Sequence, residues 1–408
     1  MAKMEFSLED QAKVHGYSQA AFAAPELLAA RTSPEPQPMY AHLIERCPVR
    51  AIAPDVFSLV RMDDILYVNK HPHVEQASKY LGSNRPAIPL GLDGEEHRKY
   101  RRLLDPVFTA RRVEPLAPQV RGLADRLIDG FAEAGEVDAY RTWCEPLPST
   151  IFLSIMGLPM DDLAAFLHFK DLTLGNQIVE GVSSEEQARR RVEGVTWIQE
   201  YFTRDLDARE REPSTRDDMI GWLMSAEVDG HQLSREDVLD ILGLLMIAGL
   251  DTVAASLACF LSYFARHPEH RARIAADHGL IPTAVEELMR FESPVVDGYR
   301  LVTEDLTLPS GVDVPAGSYL LISWSGANLD PGHFADPLTV DLERRPNPHI
   351  GFASGFHRCL GSHLARMEMR VALEAWHDRI PDYRIRPGAD LVYSGNPRAP
   401  HRLPLVWP

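Results

Sequence analysis

From Ser234 to Arg266 apolar side chains recur at helical spacing, and from Ile241 to Ile247 they occupy every face. A segment apolar all round cannot sit on a surface, so this pattern predicts a helix threaded through the core. Ser234 followed by Asp237 resembles a capping box and His267-Pro268 stops the run, giving a rod of roughly 50 Å at the standard rise. Helical periodicity also marks Val120 to Ala134, Asp161 to Leu172 and Ser184 to Asp207, and it returns after Cys359. Short alternating stretches around Val49 to Val60, β-like runs from Leu301 to Leu321 broken by Gly311, Pro315 and Gly317, and a tail alternating from Tyr383 predict strands. Thr32 to Pro38 reads as an extended, proline-rich lead-in. The sum is a mainly α protein with a minor β subdomain. No internal repeat or low-complexity block divides it.

Composition narrows the class. With 408 residues, 45% hydrophobic and 25% charged, the chain is an ordinary globular protein with room for one large domain or two. No stretch approaches the roughly 20 uninterrupted apolar residues of a membrane span, and Met1 to Gln19 has no signal-peptide core, so a cytoplasmic protein is expected. Lys plus Arg number 42 against 59 Asp plus Glu, a net charge of −17, which excludes general affinity for nucleic acid or anionic membranes. An anionic partner would need a local basic patch. Cys47, Cys144, Cys259 and Cys359 lie far apart without metal-ligand spacing, arguing against a disulfide scaffold or zinc ribbon.

Three places carry candidate chemistry. The core helix is interrupted by Ala248-Gly249-Leu250-Asp251-Thr252. In the ordinary reading Thr252 bonds a carbonyl one turn back and Asp251 finds a distant cation; in the functional one Gly249 lets a ligand approach the backbone while Asp251 and Thr252 hold water and pass protons. Glu287 and Arg290 share a helix face at i,i+3, and Glu286 reaches Arg290 equally well at i,i+4. The most specific is Phe352-Ala353-Ser354-Gly355-Phe356-His357-Arg358-Cys359-Leu360-Gly361, opening a helix. A lone cysteine is usually an inert buried thiol. Here a glycine-permitted turn aims N–H groups and a helix N-terminus at the sulfur, as suits a thiolate ligand for haem iron.

Gly-x-Asp-Thr on a core helix, Glu-x-x-Arg about 35 residues later and Phe-x-x-Gly-x-His-x-Cys-x-Gly roughly 70 beyond resemble, in order and spacing, the cytochrome P450 family of haem-thiolate monooxygenases, soluble bacterial branch. Gly94 to Arg102 before Phe108-Thr109, Ala327-Asn328-Leu329-Asp330-Pro331 and Leu364-Ala365-Arg366 extend the likeness over nearly the whole chain. The resemblance implies a single P450 domain over 1–408, with β-rich parts near 45–70, 295–322 and 383–408 and a helical body over 95–290 and 359–378. Haem b (iron protoporphyrin IX) would lie between the long distal helix and the cysteine loop.

Carried over position by position, Cys359 is the metal ligand, and Asp251 and Thr252 are the catalytic acid and alcohol that deliver protons during oxygen activation. His97, Arg101, Arg300 and His357 hold the haem propionates, with Ala248, Gly249, Phe352, Gly355 and Gly361 also against the cofactor. Glu287, Arg290 and Arg344 form a buried structural network. The substrate pocket is expected from Leu244, Leu245, Ala248, Val295, Val296 and Asp297, with the turn near Pro397. Asp297 is open between a substrate polar group, a propionate and backbone. Leu329 stands where the family often has Arg and Ala353 where it often has Gly. The connection from Ser78 to Gly91 is short, leaving the pocket more open or closed instead by Asp171 to Val182.

The resemblance further implies a monomer that takes O2 and a small hydrophobic substrate, to hydroxylate or O-demethylate it. With no dinucleotide fingerprint or flavin domain in the chain, electrons would come from NAD(P)H through a reductase and an acidic ferredoxin. That donor is expected near Arg102, Arg111, Arg112, Arg345, Arg358 and Arg366. Alternatives are peroxide-driven oxidation, which the Asp251-Thr252 pair argues against, and a non-catalytic haem sensor.

Overall fold

The computed structural model describes residues 25–77, 85–174, 182–211 and 218–408. The expectations for Met1 to Gln19, and for parts of the 78–91 and 171–182 connections, fall outside these. The helices that position the site, in chain order, are α1 (Gly94–Leu104), α2 (Ala117–Asp129), α3 (Pro146–Met156), α4 (Leu163–Leu174), α5 (Ser184–Arg211), α6 (Arg235–Gly249), α7 (Thr252–Arg266), α8 (Ile281–Glu292) and α9 (Ser362–Arg379). The main sheet comprises β1 (Val49–Ala53), β2 (Val56–Leu59), β3 (Val74–Gln76), β4 (Asp297–Val302) and β5 (Tyr319–Ser323) in the order β1-β2-β5-β4-β3. β5 runs parallel to β2, with Tyr319 opposite Val56, and antiparallel to β4, with Tyr319 opposite Leu301. β3 adds to β4 with Val74 opposite Val302, which sets Gln76 against Arg300.

The β regions differ from expectation in detail. Met62–Val68 is a helix inside the supposed strand region, and Glu136–Asp138, within the helical body, pairs with Pro404–Val406 of the tail. Such strands are too short for a period to declare itself. The proline-rich lead-in, expected over Thr32 to Pro38, is non-helical over 33–36 and joins two helices, Pro25–Thr32 and Gln37–Arg46, the second of which takes in Pro38. Proline is tolerated in a first helical turn because the N–H it lacks would have had no partner there.

The capping at Ser234 is as read: its side chain accepts from the Asp237 N–H. The single rod, however, is two helices with the break at Leu250-Asp251, where Asp251 adopts φ −122° and ψ −31°. Side chains take over carbonyls there. Thr252 donates to the Ala248 oxygen at 3.1 Å, and Ser149 on α3 donates to the Leu250 oxygen at 3.3 Å. By length and composition α6–α7 is, among the described residues, able to cross a membrane, yet most of it is buried in the protein, as a core helix is. The largest apolar cluster runs from Ile88 to Leu405 around α7, α8 and α9, and a smaller one lies under the sheet.

Candidate active site

The cysteine loop is set by Gly355. Its φ is +70° and an added Cβ would lie 2.1 Å from the Asn69 oxygen, so only glycine fits there. Asn69 donates to the Ser354 hydroxyl at 2.9 Å, and the Cys359 N–H donates to the Phe352 oxygen at 2.9 Å, closing the turn. Ala353 also sits in the left-handed region, at φ +55°, which strains it by about 1 kcal/mol relative to the family's usual glycine. Cys359 is exposed, yet surrounded by protein, so its sulfur opens on a concavity. Burial raises its pKa, opposed by the Gly361 N–H bond to the sulfur and by Arg101, Arg366 and Arg358. A thiol so balanced ionises when a metal cation faces it.

The expected anion-binding side chains form a connected group. His97 and His357 stack with centroids 4.3 Å apart, His357 bonds Asp93 through Nε2 at 3.0 Å, and Asp93 also accepts the Gln76 N–H at 3.0 Å. Arg300, 3% exposed, donates to Gln76 Oε1 at 3.0 Å and to the Tyr299 oxygen at 2.9 Å. It has no ion pair among the described residues, and burial pulls its pKa to about 10. The His357 Nδ1 is buried without a partner, and burial, then His357 and Arg101, push His97 down to about 4. A buried guanidinium without an ion pair among the described residues, beside an orphaned imidazole nitrogen, fits a dianionic ligand such as haem with its propionates. Arg101 ties α1 to the loop, donating to the Arg358 oxygen at 2.7 Å while pairing with Asp105 at 2.7 Å. Asp93 and Gln76 had no sequence signal beyond the acid preceding α1.

On the distal helix, Leu244, Ala248 and Thr252 fall at i, i+4 and i+8 on one face, and Ala248 is exposed although its helix is a core helix. Gly243 and Ile247 belong to that face: Ile247 is half-buried and the Cβ direction of Gly243 is open. Two expectations need correction. Leu245 packs into the main core. The missing side chain of Gly249 accommodates Phe152 of α3, whose ring would lie 2.6 Å from an added Cβ, so the glycine serves helix packing and not ligand approach.

Asp251 is buried and engaged. Tyr140 donates to it at 3.3 Å and Lys170 lies at 3.6 Å. Lys170 pairs with Glu145 at 2.5 Å and Asp171 at 3.1 Å, and Arg141 with Glu145 at 2.9 Å. Burial disfavours the Lys170 charge, but Asp251, Tyr140 and Glu145 outweigh it and raise its pKa. Side chains of Arg141 and Asp171, 46% and 43% exposed, carry this network to solvent. The ordinary reading of the step therefore holds, with Thr252 bonded back and Asp251 given its cation, and a polar chain runs on from Asp251 to the surface.

The β4 lead-in is also corrected. Val295 is half-buried, but Val296 packs with Tyr40, Ile44, Val60 and Leu329. Asp297 is paired with Arg31 and accepts from Asn396 Nδ2 at 3.1 Å, so its carboxylate is taken by the N-terminal helix and the Pro397 turn. A groove of about 720 Å3 near Ile44, Arg61, Leu329 and Leu338 brings none of the candidate residues together.

Glu287, Arg290 and Arg344 do meet. Arg290 donates twice to Glu287 at 2.7 and 2.8 Å, Arg344 donates at 3.0 Å, and the Glu287 and Arg290 side chains are 0% exposed. Glu286 does not reach for Arg290; it holds Arg366 at 2.7 Å and His349 at 2.9 Å, bonds that outweigh burial and bring its pKa to about 2. Arg366, stacked 4.2 Å over Phe352, is therefore structural and not a docking cation. Arg102 pairs with Glu95 at 3.1 Å, whereas Arg111, Arg112, Arg345 and Arg358 are exposed without ion pairs among the described residues. Glu368 on α9 is a further buried acid, pushed up to about 8 by burial alone, which the pattern did not single out.

The profile of the family described as cytochrome P450 matches residues 184–376. The cyclomarin C epoxidase of Salinispora arenicola is 32% identical, the match covering 85% of this chain and 89% of that one. The methyl-branched lipid omega-hydroxylase of Mycobacterium tuberculosis is 32% identical over 86% of this chain and 84% of its own. Among solved structures, a myxobacterial cytochrome P450 in complex with myristic acid is 30% identical, with a TM-score of 0.83, covering 95% of this chain and 100% of that one.

Proposed function

The chain belongs to the cytochrome P450 family, whose members are haem-dependent monooxygenases, and on that premise we propose that it hydroxylates or O-demethylates a small, largely apolar compound with electrons from a ferredoxin. The observation that carries the residue assignments is the chain of contacts from the buried Arg300 through Gln76, Asp93 and His357 to the loop that presents Cys359. In this reading Cys359 would supply the sulfur that holds the haem iron, with the Gly361 N–H steadying its charge, and His97, Arg101, Arg300 and His357 would hold the propionates. Haem, once bound, supplies the redox chemistry that consumes O2, two electrons and two protons and yields the alcohol and water.

The side chains do the rest. Thr252, whose proton goes to the Ala248 oxygen, keeps its lone pairs for a water at the helix break. Asp251 feeds that break from Tyr140, Lys170 and the solvent-facing Asp171, a route dioxygen activation needs and peroxide-driven oxidation does not. Leu244, Ile247 and Val295 offer an apolar wall suited to a terpenoid, an aromatic or a lipid. The purified, reduced pigment should give the red-displaced carbon monoxide band of a thiolate-bound haem and should form product with a surrogate ferredoxin system. Absence of the band would refute the assignment of Cys359, and a band without turnover would leave a haem sensor.

The donor is an acidic ferredoxin docking near Arg111, Arg112 and Arg358, whose charges have no internal partner among the described residues. Arg112→Glu with Arg358→Glu should slow reduction about tenfold at low ionic strength and flatten its salt dependence. Stopped-flow rates unaltered by the double reversal would place the donor elsewhere.

A further inference from the structure

Phe352, at the head of the cysteine loop, carries a charge against its ring. The Arg366 guanidinium on α9 lies 4.2 Å over the ring, and His349 flanks the same ring with centroids 6.1 Å apart. Glu286 on α8 fixes both neighbours. Arg366 donates through Nε and Nη2 at 2.7 and 2.8 Å, one bond to each carboxylate oxygen, and His349 Nε2 bonds the second oxygen at 2.9 Å. The Gly351 N–H donates to His349 Nδ1 at 3.1 Å, so Nε2 carries the ring proton and donates it to Glu286. The imidazole therefore contributes orientation and no charge. One arginine and one carboxylate are left as a two-bond pair resting on a ring whose backbone oxygen accepts the Cys359 N–H at 2.9 Å.

Stability does not account for this arrangement. The Arg366 and Glu286 side chains are 29% and 30% exposed, and an ion pair so open to water adds little to folding. What the contacts provide is a fixed position. Of the three cations that favour the anionic form of Cys359, Arg101 pairs with a half-exposed Asp105 and Arg358 is exposed without an ion pair among the described residues. Arg366 alone of the three is clamped from a second helix and laid on an aromatic face of the loop itself.

We infer that the Arg366–Glu286 pair sets the reduction potential of the haem bound at Cys359, with Arg366 as the positioning residue that favours the reduced state and Glu286 as the anion that holds it and offsets part of its charge. Reduction adds one negative charge at the iron and its sulfur, so a fixed cation beside the loop favours it and a fixed anion opposes it. The pair thereby decides how readily the protein accepts its first electron. The inference rests on the haem reading of Cys359, from which the test separates it.

Substrate-free holoenzyme at full haem content is titrated with dithionite in the presence of mediator dyes, and the ratio of reduced to oxidised haem is read at the midpoint potential of the unmodified protein. Arg366→Gln, which leaves Glu286 unopposed, should lower that ratio about fivefold, and Glu286→Gln, which leaves Arg366 unopposed, should raise it about threefold, modest factors because water screens both groups. The double variant should return to within about twofold of the unmodified ratio. Arg366→Lys, which keeps the charge without the fork, should recover part of the loss, and Arg379→Gln, further along α9 where the arginine pairs with Asp129 at 2.7 Å, should change nothing. Loosened packing would move both single variants the same way; only charge moves them in opposite directions. Shifts of one sign in the two single variants, a shift in only one of them, none in either, or a double variant as displaced as a single one would overturn the inference where the carbon monoxide band persists. An unmodified protein without that band would instead sink the haem reading of Cys359.

Discussion

Glu287→Ala is expected to destabilise the protein by about 3–5 kcal/mol and to yield a product that loses haem during purification. The Glu287 carboxylate accepts from Arg290, Arg344, Asn347 Nδ2 at 3.1 Å and the Asp341 N–H at 2.9 Å, with no exposed surface. Its removal leaves Arg290 fully buried beside carbonyls only, those of Asn328, Pro337 and Thr339 at 2.8–3.1 Å. The effect reaches the site because the same segment holds the cysteine loop: Asn328 Oδ1 accepts the Ile350 N–H at 2.7 Å, just upstream of Phe352. Glu287→Gln keeps the shape without the charge and should fall between. Urea unfolding followed by circular dichroism, with the ratio of haem to protein absorbance, measures both consequences. A midpoint within experimental error of the unmodified protein, at full haem content, would contradict the proposed structural role.

The second large effect is on turnover. Asp251→Asn should lower kcat on the order of 100-fold, the scale of a lost general acid–base group, and enlarge the solvent isotope effect, while substrate affinity and the carbon monoxide band stay unchanged. The asparagine can still accept from Tyr140, but it cannot carry a proton from Lys170 and Asp171 to the break. Lys170→Met should act in the same direction and also weaken folding, since Glu145 and Asp251 would lose their buried cation. A kcat within about twofold of the unmodified enzyme for Asp251→Asn would exclude this route for protons.

Much of this was legible in the chain because it is local. The Ser234 cap, the all-round apolar run after Ile241 and the need for glycine at 355 are properties of a few consecutive residues, and each recurs in the structure. Reading Gly249 as a gap for a ligand failed because the space it leaves is taken by Phe152, about a hundred residues earlier in the chain. Asp297 looked available for a similar reason; the helix carrying Arg31 claims it, and a proline-rich lead-in gave no hint of that helix.

By itself the sequence determined the helical body, the break in the core helix as a polar step and the cysteine turn, since spacing and backbone demands are written residue by residue; the set of cations near that turn was implied by the family resemblance. Only the tertiary structure decided which charges are matched and which are not. Lys170 closes on Asp251, Arg366 on Glu286 and Arg31 on Asp297, while Arg300 has no ion pair among the described residues and feels only the more distant charge of Asp93. A buried charge is governed by whatever packing brings within a few ångströms, and those neighbours come from segments far apart in the chain.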